Sequence, residues 1–157
     1  MAIASAIRDY LNTEDVSYVA FTHPVAFTAQ EEAARAHVPG WSWAKIVVCF
    51  ADDEPVQAVL PAPMHVDLAR LRALSHASVL RLAREDELPA LYPGCEPGAE
   101  PPFGPMYRQR VFVDESLGEQ EEVVFNAGTH RDAIRMGYRD FVEMTNAVVG
   151  RFGRPAV

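Results

Sequence analysis

Lysine is almost missing from this chain. Of its 14 basic residues thirteen are arginine, and Lys45 stands alone. Cysteine is nearly as scarce: Cys49 and Cys95 lack CxxC spacing and are too few for a disulfide framework. A reducing compartment, the cytoplasm, is therefore the expected setting. No apolar run approaches the roughly 20 residues that a bilayer-spanning helix needs, so no membrane partner is expected. The opening MAIASAIRDYLN carries Arg8 and Asp9 inside its apolar pattern, which argues against a secretory leader. Internal repeats and low-complexity tracts are absent. Positive charge is in short supply, with 14 Lys+Arg against 22 Asp+Glu and a net −8. That balance disfavours DNA and tight non-specific RNA binding, and leaves room for a brief, local RNA contact.

Several chemistries lack the residues they require. GxxxxGK[ST], GxGxxG and HExxH do not occur, which removes P-loop, dinucleotide-binding and zincin readings. A GxSxG nucleophile elbow is also missing. His23, His37, His65, His76 and His130 are scattered without metal-ligand spacing, so neither a metal nor a cofactor is expected. Cys95 has no identifiable histidine partner and reads as a small loop cysteine. Cys49, inside KIVVCF, reads as core packing.

What is present is one globular domain over residues 1–157, with 49% hydrophobic and 23% charged residues. Residues 2–11 set Ile3, Ala6, Ile7, Tyr10 and Leu11 on one helical face. A strand is expected over 17–22. Thr28 and Glu31 have the form of a capping box for a helix over 29–37, ended by Pro39-Gly40. Strands 45–50 and 55–60 flank an Asp52-Asp53 turn. Asp67 is placed to cap a helix over DLARLRAL. A strand over 78–82 and a short acidic helix over 84–91 follow. Residues 89–105 hold Pro89, Pro93, Pro97, Pro101, Pro102 and Pro105, with Gly94, Gly98 and Gly104, and must be a long constrained loop. Strands 108–113, 122–126 and 130–136, a turn at Ala127-Gly128 and a helix over 139–149 complete the chain. Asp114 suits a turn or cap better than catalysis. Without strict βαβ alternation, this order points to an α+β fold, one mixed sheet packed by helices.

Lys45 carries the sharpest functional signal. A sequence that uses arginine wherever a surface cation suffices keeps one lysine at the start of a strand. A slender ammonium with rotatable donors does what a planar guanidinium cannot, such as anchoring a phosphate or hydroxyl in a narrow pocket. Trp41 and Trp43 flank it and offer base stacking or core packing.

In order along the chain stand His23-Pro24, Phe27-Thr28, Glu31-Glu32, Ala44-Lys45, Gly98-Ala-Glu-Pro-Pro102-Phe103-Gly104, Val113-Asp114 and Phe125-Asn126-Ala127-Gly128. This set resembles the YbaK/prolyl-tRNA synthetase-associated domain family of free-standing aminoacyl-tRNA editing proteins, over about residues 5 to 150. The resemblance implies a largely antiparallel, barrel-like sheet packed by helices. It implies a trans-acting, metal-independent deacylase that hydrolyses the ester of a mischarged tRNA in translation proofreading. The expected partners are the acceptor end of an aminoacyl-tRNA, met transiently, and an aminoacyl-tRNA synthetase. Lys45 and Gly98 would be catalytic, the lysine holding the terminal nucleotide and the glycine loop offering amides to the aminoacyl carbonyl. His23, Phe27, Thr28, Pro102, Phe103, Asn126, Gly128 and His130 would bind substrate. Orientation and oxyanion stabilisation suffice for an activated ester, which suits a chain without a triad. Two positions depart from the family pattern: Pro101 replaces a small polar residue, and Ile46 follows the lysine where some members are polar. The alternatives are a non-catalytic tRNA- or synthetase-binding module of the same fold and a hydrolase of another small ester or thioester.

Overall fold

Helix α1 (Ala2–Thr13) forms because Ile7 and Leu11, one turn apart, both bury against the core. The computed structural model describes residues 2–155, with side chains from Ala4 onward. Met1, Ala156 and Val157 of the expected domain, and the side chain of Ile3, lie outside the described residues. Ala6, expected on the buried face, is exposed.

Among the described residues ten strands sort into three ladders. β1 (Tyr18–Thr22), β8 (Asp132–Gly137) and β7 (Glu122–Asn126) pair antiparallel in that spatial order. The larger ladder runs β5 (Leu80–Leu82), β2 (Ala44–Ala51), β3 (Glu54–Pro61), β6 (Arg110–Asp114), β9 (Val148–Gly150). Its β2–β3 and β2–β5 pairs are antiparallel, and β3–β6 and β6–β9 are parallel. A two-stranded ribbon joins β4 (Met64–Val66) to β10 (Gly153–Pro155). Helices α2 (Ala29–Arg35), α3 (Leu68–Ser75), α4 (Leu88–Leu91) and α5 (Tyr138–Thr145) complete the α+β architecture. Pairing is largely antiparallel, as expected, but it closes no barrel. Between β7 and the chain entering β2 there is a single bridge, Trp43 to Val124, so the ladders abut without becoming one sheet.

Local chemistry explains most element boundaries. Asp52 and Asp53 both take positive φ, 49° and 69°, in the tight β2–β3 turn. The Asp52 carboxylate also accepts from the Ser78 and Val79 amides, which docks the chain entering β5. Thr28 caps α2 by accepting from the Glu31 amide, and Asp67 caps α3 by accepting from the Arg70 amide. The last helix stops at Thr145 because Asn146 turns left-handed, at φ 52°. Val148 and Val149 then extend as β9, where the sequence suggested continued helix. The long loop hangs on buried Gln57, whose amide donates to the Pro101 carbonyl at 3.1 Å and to the Tyr92 hydroxyl. Tyr92 in turn donates to Gln109.

Asp114 is a structural strap. Its Oδ1 accepts from the Phe152 amide at 2.9 Å and the Gly153 amide at 2.6 Å, and its Oδ2 accepts from the Ser116 amide and hydroxyl. Burial raises its carboxyl, but these four donors outweigh that and hold it below the ordinary aspartate value. A lowered native pKa contributes stability above the unfolded value of about 3.9, lost as pH falls through the native one. Asp114→Ala is therefore expected to lower stability in urea unfolding at pH 7 by about 3 kcal/mol, because two buried amides lose their acceptor. The gap should narrow only below about pH 4. An unchanged urea midpoint at neutral pH would contradict the strap.

Candidate active site

Four segments converge on one cleft of about 150 Å³. The start of α2 supplies Phe27, Ala29 and Glu32. The entry to β2 supplies Trp43, Ala44, Lys45 and Ile46. The proline-rich loop supplies Gly98 and Glu100, and the end of β7 supplies Asn126. A larger hollow of about 330 Å³ lies between α1 and the β1–β8 pair, but Ile7, Leu11, Phe21 and Ile134 make it mainly apolar. Convergent polar and titratable groups mark the smaller cleft as the candidate.

The loop around Gly98 is held by the β7–β8 turn. The Glu96 amide donates to the Gly128 carbonyl at 2.8 Å, and the Gly128 amide returns to the Ala99 carbonyl at 2.9 Å. The His130 amide donates to the Glu96 carboxylate at 2.7 Å. Gly98 sits at φ +87°, and a Cβ there would meet the His130 ring at 3.3 Å. Glycine is thus required by both backbone and neighbour. The Gly98 N–H, the amide expected to face an ester carbonyl, donates to Glu100 Oε2 at 3.0 Å.

Behind the cleft, His130 Nε2 lies 2.8 Å from the Pro97 carbonyl, which can only accept, so that nitrogen carries a proton. Nδ1 then faces Glu32 Oε2 at 3.4 Å. Burial pushes the Glu32 carboxyl up, with Asn126, His130 and His23 opposing. Burial likewise raises Glu100, against the Gly98 amide, its own amide and His130. Lys45 is half-buried, and desolvation alone pulls its pKa below the ordinary lysine value. The cleft therefore holds acidic and basic groups whose charge is poorly compensated, a pattern typical of functional sites.

The sequence-selected residues divide. Lys45, Gly98, Asn126 and Phe27 line the cleft, and Phe27 is 74% exposed with its ring 5.4 Å from that of His130. His130 backs the cleft through Gly98 and Glu32. His23 is buried beneath it, edge-on to Trp43 at 5.6 Å, with Nδ1 on the Pro24 carbonyl and Nε2 unpartnered. Gly128, at φ +95°, pins the loop and does not line the cleft. Three other residues expected to bind substrate do not line this cleft. Thr28 is committed to capping α2: its hydroxyl accepts from the Glu31 amide and donates to the Glu31 carboxylate. Phe103 is fully buried between Tyr10 and Phe125, because the 3₁₀ turn at Gly104–Tyr107 tucks its ring into the core. Pro102 is buried with it rather than facing the cleft. Of the two tryptophans, Trp43 is core and Trp41 is exposed.

Sequence reasoning missed two cleft residues, Glu32 and Glu100. Both lie inside the quoted motifs, but a glutamate among other charges carries no sequence sign that it will be buried. The one available signal was position: Glu32 follows the capping glutamate on the inward face of α2, and Glu100 lies between two segments that must approach the ligand.

No described helix is long and apolar enough to cross a membrane, and no group of three or more His, Cys, Asp or Glu among the described residues is arranged to hold a metal ion. Solved structures share the fold over nearly the whole chain. A hypothetical protein, APE2540, superposes with a TM-score of 0.85 at 20% identity, covering 95% of this chain and 99% of its own. A protein described as a proposed trans-editing enzyme for prolyl tRNA synthetase superposes at 0.83 with 22% identity, covering 98% of both chains. By sequence, the proline–tRNA ligase 1 of Anaeromyxobacter dehalogenans (strain 2CP-C) is 33% identical over 105 residues, which are 66% of this chain and 17% of the ligase. The proline–tRNA ligase of Anaeromyxobacter sp. (strain Fw109-5) is 34% identical over 83 residues, 53% of this chain and 14% of the ligase. This chain thus spans a small part of those enzymes. The model of the aminoacyl-tRNA editing domain matches residues 23–144, a stretch that contains every element lining the cleft, and the chain belongs to that family.

Proposed function

We propose that this protein is a trans-acting deacylase that hydrolyses the ester of a mischarged aminoacyl-tRNA without a metal. The observation that carries the reading is the convergence of Lys45 and the Gly98 amide on one cleft, with Asn126 on its wall. An acyl-transfer site needs an amide donor for the developing oxyanion and a group that orients the alcohol side of the ester. Gly98 and Lys45 supply that pair. Water adds to the ester carbonyl, the oxyanion rests on the Gly98 N–H, and collapse expels the terminal ribose oxygen. That oxygen takes up the proton released by the water, leaving free amino acid and tRNA.

Lys45 also borders an outer hollow lined by His65, Asp67, Leu82 and Arg154, the Asp67 carboxylate being engaged in capping α3. Basic groups beside an apolar wall suit the terminal nucleotide of an acceptor strand, which would reach the cleft past the lysine. Contact limited to that end fits a chain with net charge −8. The ligase relatives support a role beside a synthetase.

The test is deacylation of a panel of tRNAs charged with cognate and non-cognate amino acids. Selective turnover of at least one mischarged species is expected, at rates unchanged after dialysis against EDTA. Reproducible loss restored by one metal would overturn the metal-free mechanism. Binding to acceptor ends without turnover across the panel would favour the non-catalytic module.

A further inference from the structure

Glu100 is 4% exposed, and its bonding partners are backbone amides, that of Gly98 at 3.0 Å and its own. Among the described residues no arginine or lysine pairs with it. The nearby imidazole, His130, has committed Nε2 to Pro97 and turned Nδ1 to Glu32. A buried carboxylate without a counter-cation is costly, and it lines the cleft directly. Beside it, Asn126 is 7% exposed and its Oδ1 has no partner. The cleft therefore presents a buried carboxylate bonded only to amides and an amide oxygen with no partner; Lys45 lines the same cleft but, among the described residues, forms no ion pair with Glu100.

We propose that Glu100, with Asn126 Oδ1, receives the α-ammonium of the aminoacyl ester, so that the cleft takes esters with a free α-amine and rejects N-acylated ones. This rests on the deacylase reading. In an α-amino ester the nitrogen and the carbonyl oxygen sit on adjacent carbons, within about one hydrogen-bond length of each other. An ester carbonyl that takes the Gly98 N–H displaces Glu100 Oε2 and delivers the ammonium to the freed carboxylate. The Gly98 N–H exchanges the carboxylate for the ester carbonyl, and the carboxylate exchanges that amide for an ammonium, gaining an ion pair with charge-assisted hydrogen bonds. An ammonium has three donors and no acceptor, matching the acceptor-only carboxylate and the orphan amide oxygen. An N-acyl group removes the charge and two of the donors, and adds bulk to a cleft of about 150 Å³. Burial of an uncompensated carboxyl also accounts for its raised pKa. The consequence is that the protein would spare peptidyl-tRNA and formylated initiator tRNA while acting on mischarged elongator species.

The experiment compares kcat/KM on the best mischarged tRNA and on its N-acetylated counterpart, for wild type and Glu100→Gln. Wild type should prefer the free amine by about a hundredfold or more, since a site built for a polar group strongly rejects the analogue lacking it. Glu100→Gln keeps the shape and an acceptor for the Gly98 amide. It should bring the preference below about tenfold, through loss on the free amine and little change on the acetylated ester. In parallel, affinities are measured for the non-hydrolysable 3′-aminoacylamino-3′-deoxyadenosine with free and acetylated amine. If no tRNA is turned over but the free-amine analogue binds preferentially, and Glu100→Gln loses that preference, the deacylase reading fails and this inference stands. Equal handling of free and acetylated species by wild type in both assays overturns it, and that arm does not depend on the variant folding.

Discussion

Lys45→Ala is expected to lower kcat/KM on the best mischarged tRNA roughly a hundredfold, and Lys45→Arg to recover little of it. Lys45 is the second residue of β2, opposite Leu60 in the β2–β3 register, so the strand fixes where its side chain begins. It borders both the inner cleft and the outer hollow. Burial alone lowers its pKa, and among the described residues it forms no salt bridge, which leaves the ammonium open to a ligand. A hydrogen bond to a charged group contributes about 1.5–3 kcal/mol, which spans roughly ten- to hundredfold in rate when realised in the transition state. Arginine keeps the charge but brings a planar fork too wide for a cleft of about 150 Å³. Folding should be unaffected or slightly improved, because a desolvated charge is removed and no ion pair is lost. Wild-type turnover by Lys45→Arg, measured on the same substrate, would refute the requirement for a compact ammonium.

The parts of the fold that were legible in the sequence are those set by local chemistry. The Asp52-Asp53 turn, the Thr28 and Asp67 caps and the KIVVCF strand are each written within a few residues of where they occur. What was not legible depends on distant partners. β4 and β10 are three-residue strands that exist only because each supplies the other's ladder, and Asp114 fixes the approach through the Phe152 and Gly153 amides. β9 follows a helix that looked continuous until Asn146 ended it. The single expected sheet became three ladders because Trp43 bridges to β7 at one point only.

The site was legible to a similar degree. Lys45 stood out by composition, and Gly98 through the family resemblance of its loop, and both line the cleft. Phe103 and Pro102 belong to the same motif but turn inward, since one residue's rotation along an irregular loop separates cleft from core. Nor did the prolines alone fix the loop. Backbone bonds from Glu96 and Ala99 to Gly128, and the Gln57 amide on the Pro101 carbonyl, join segments far apart in the sequence.

Gly98→Val is expected to reduce kcat at least tenfold, and toward the 10²–10³ range observed when an oxyanion donor is lost, with the protein still folded. Valine meets two obstacles. At φ +87° a β-branched residue is strained by about 1–3 kcal/mol. Its Cβ would also stand 3.3 Å from His130 Cε1, and its γ-methyls would press further into that ring. His130 cannot yield freely, because its Nε2 is bonded to Pro97 and its amide to Glu96. The flanking bonds from Glu96 and Ala99 to Gly128 keep the turn closed, so the strain is relieved by rotating the peptide that carries the Gly98 N–H. The amide then points away from the carbonyl position, and the loss falls on kcat more than on KM. Gly98→Ala shares the φ penalty without the γ-methyls and should sit between wild type and valine. Steady-state deacylation with a far-ultraviolet circular dichroism control separates this from unfolding. Turnover within twofold of wild type in a folded Gly98→Val protein would remove the Gly98 amide from the mechanism.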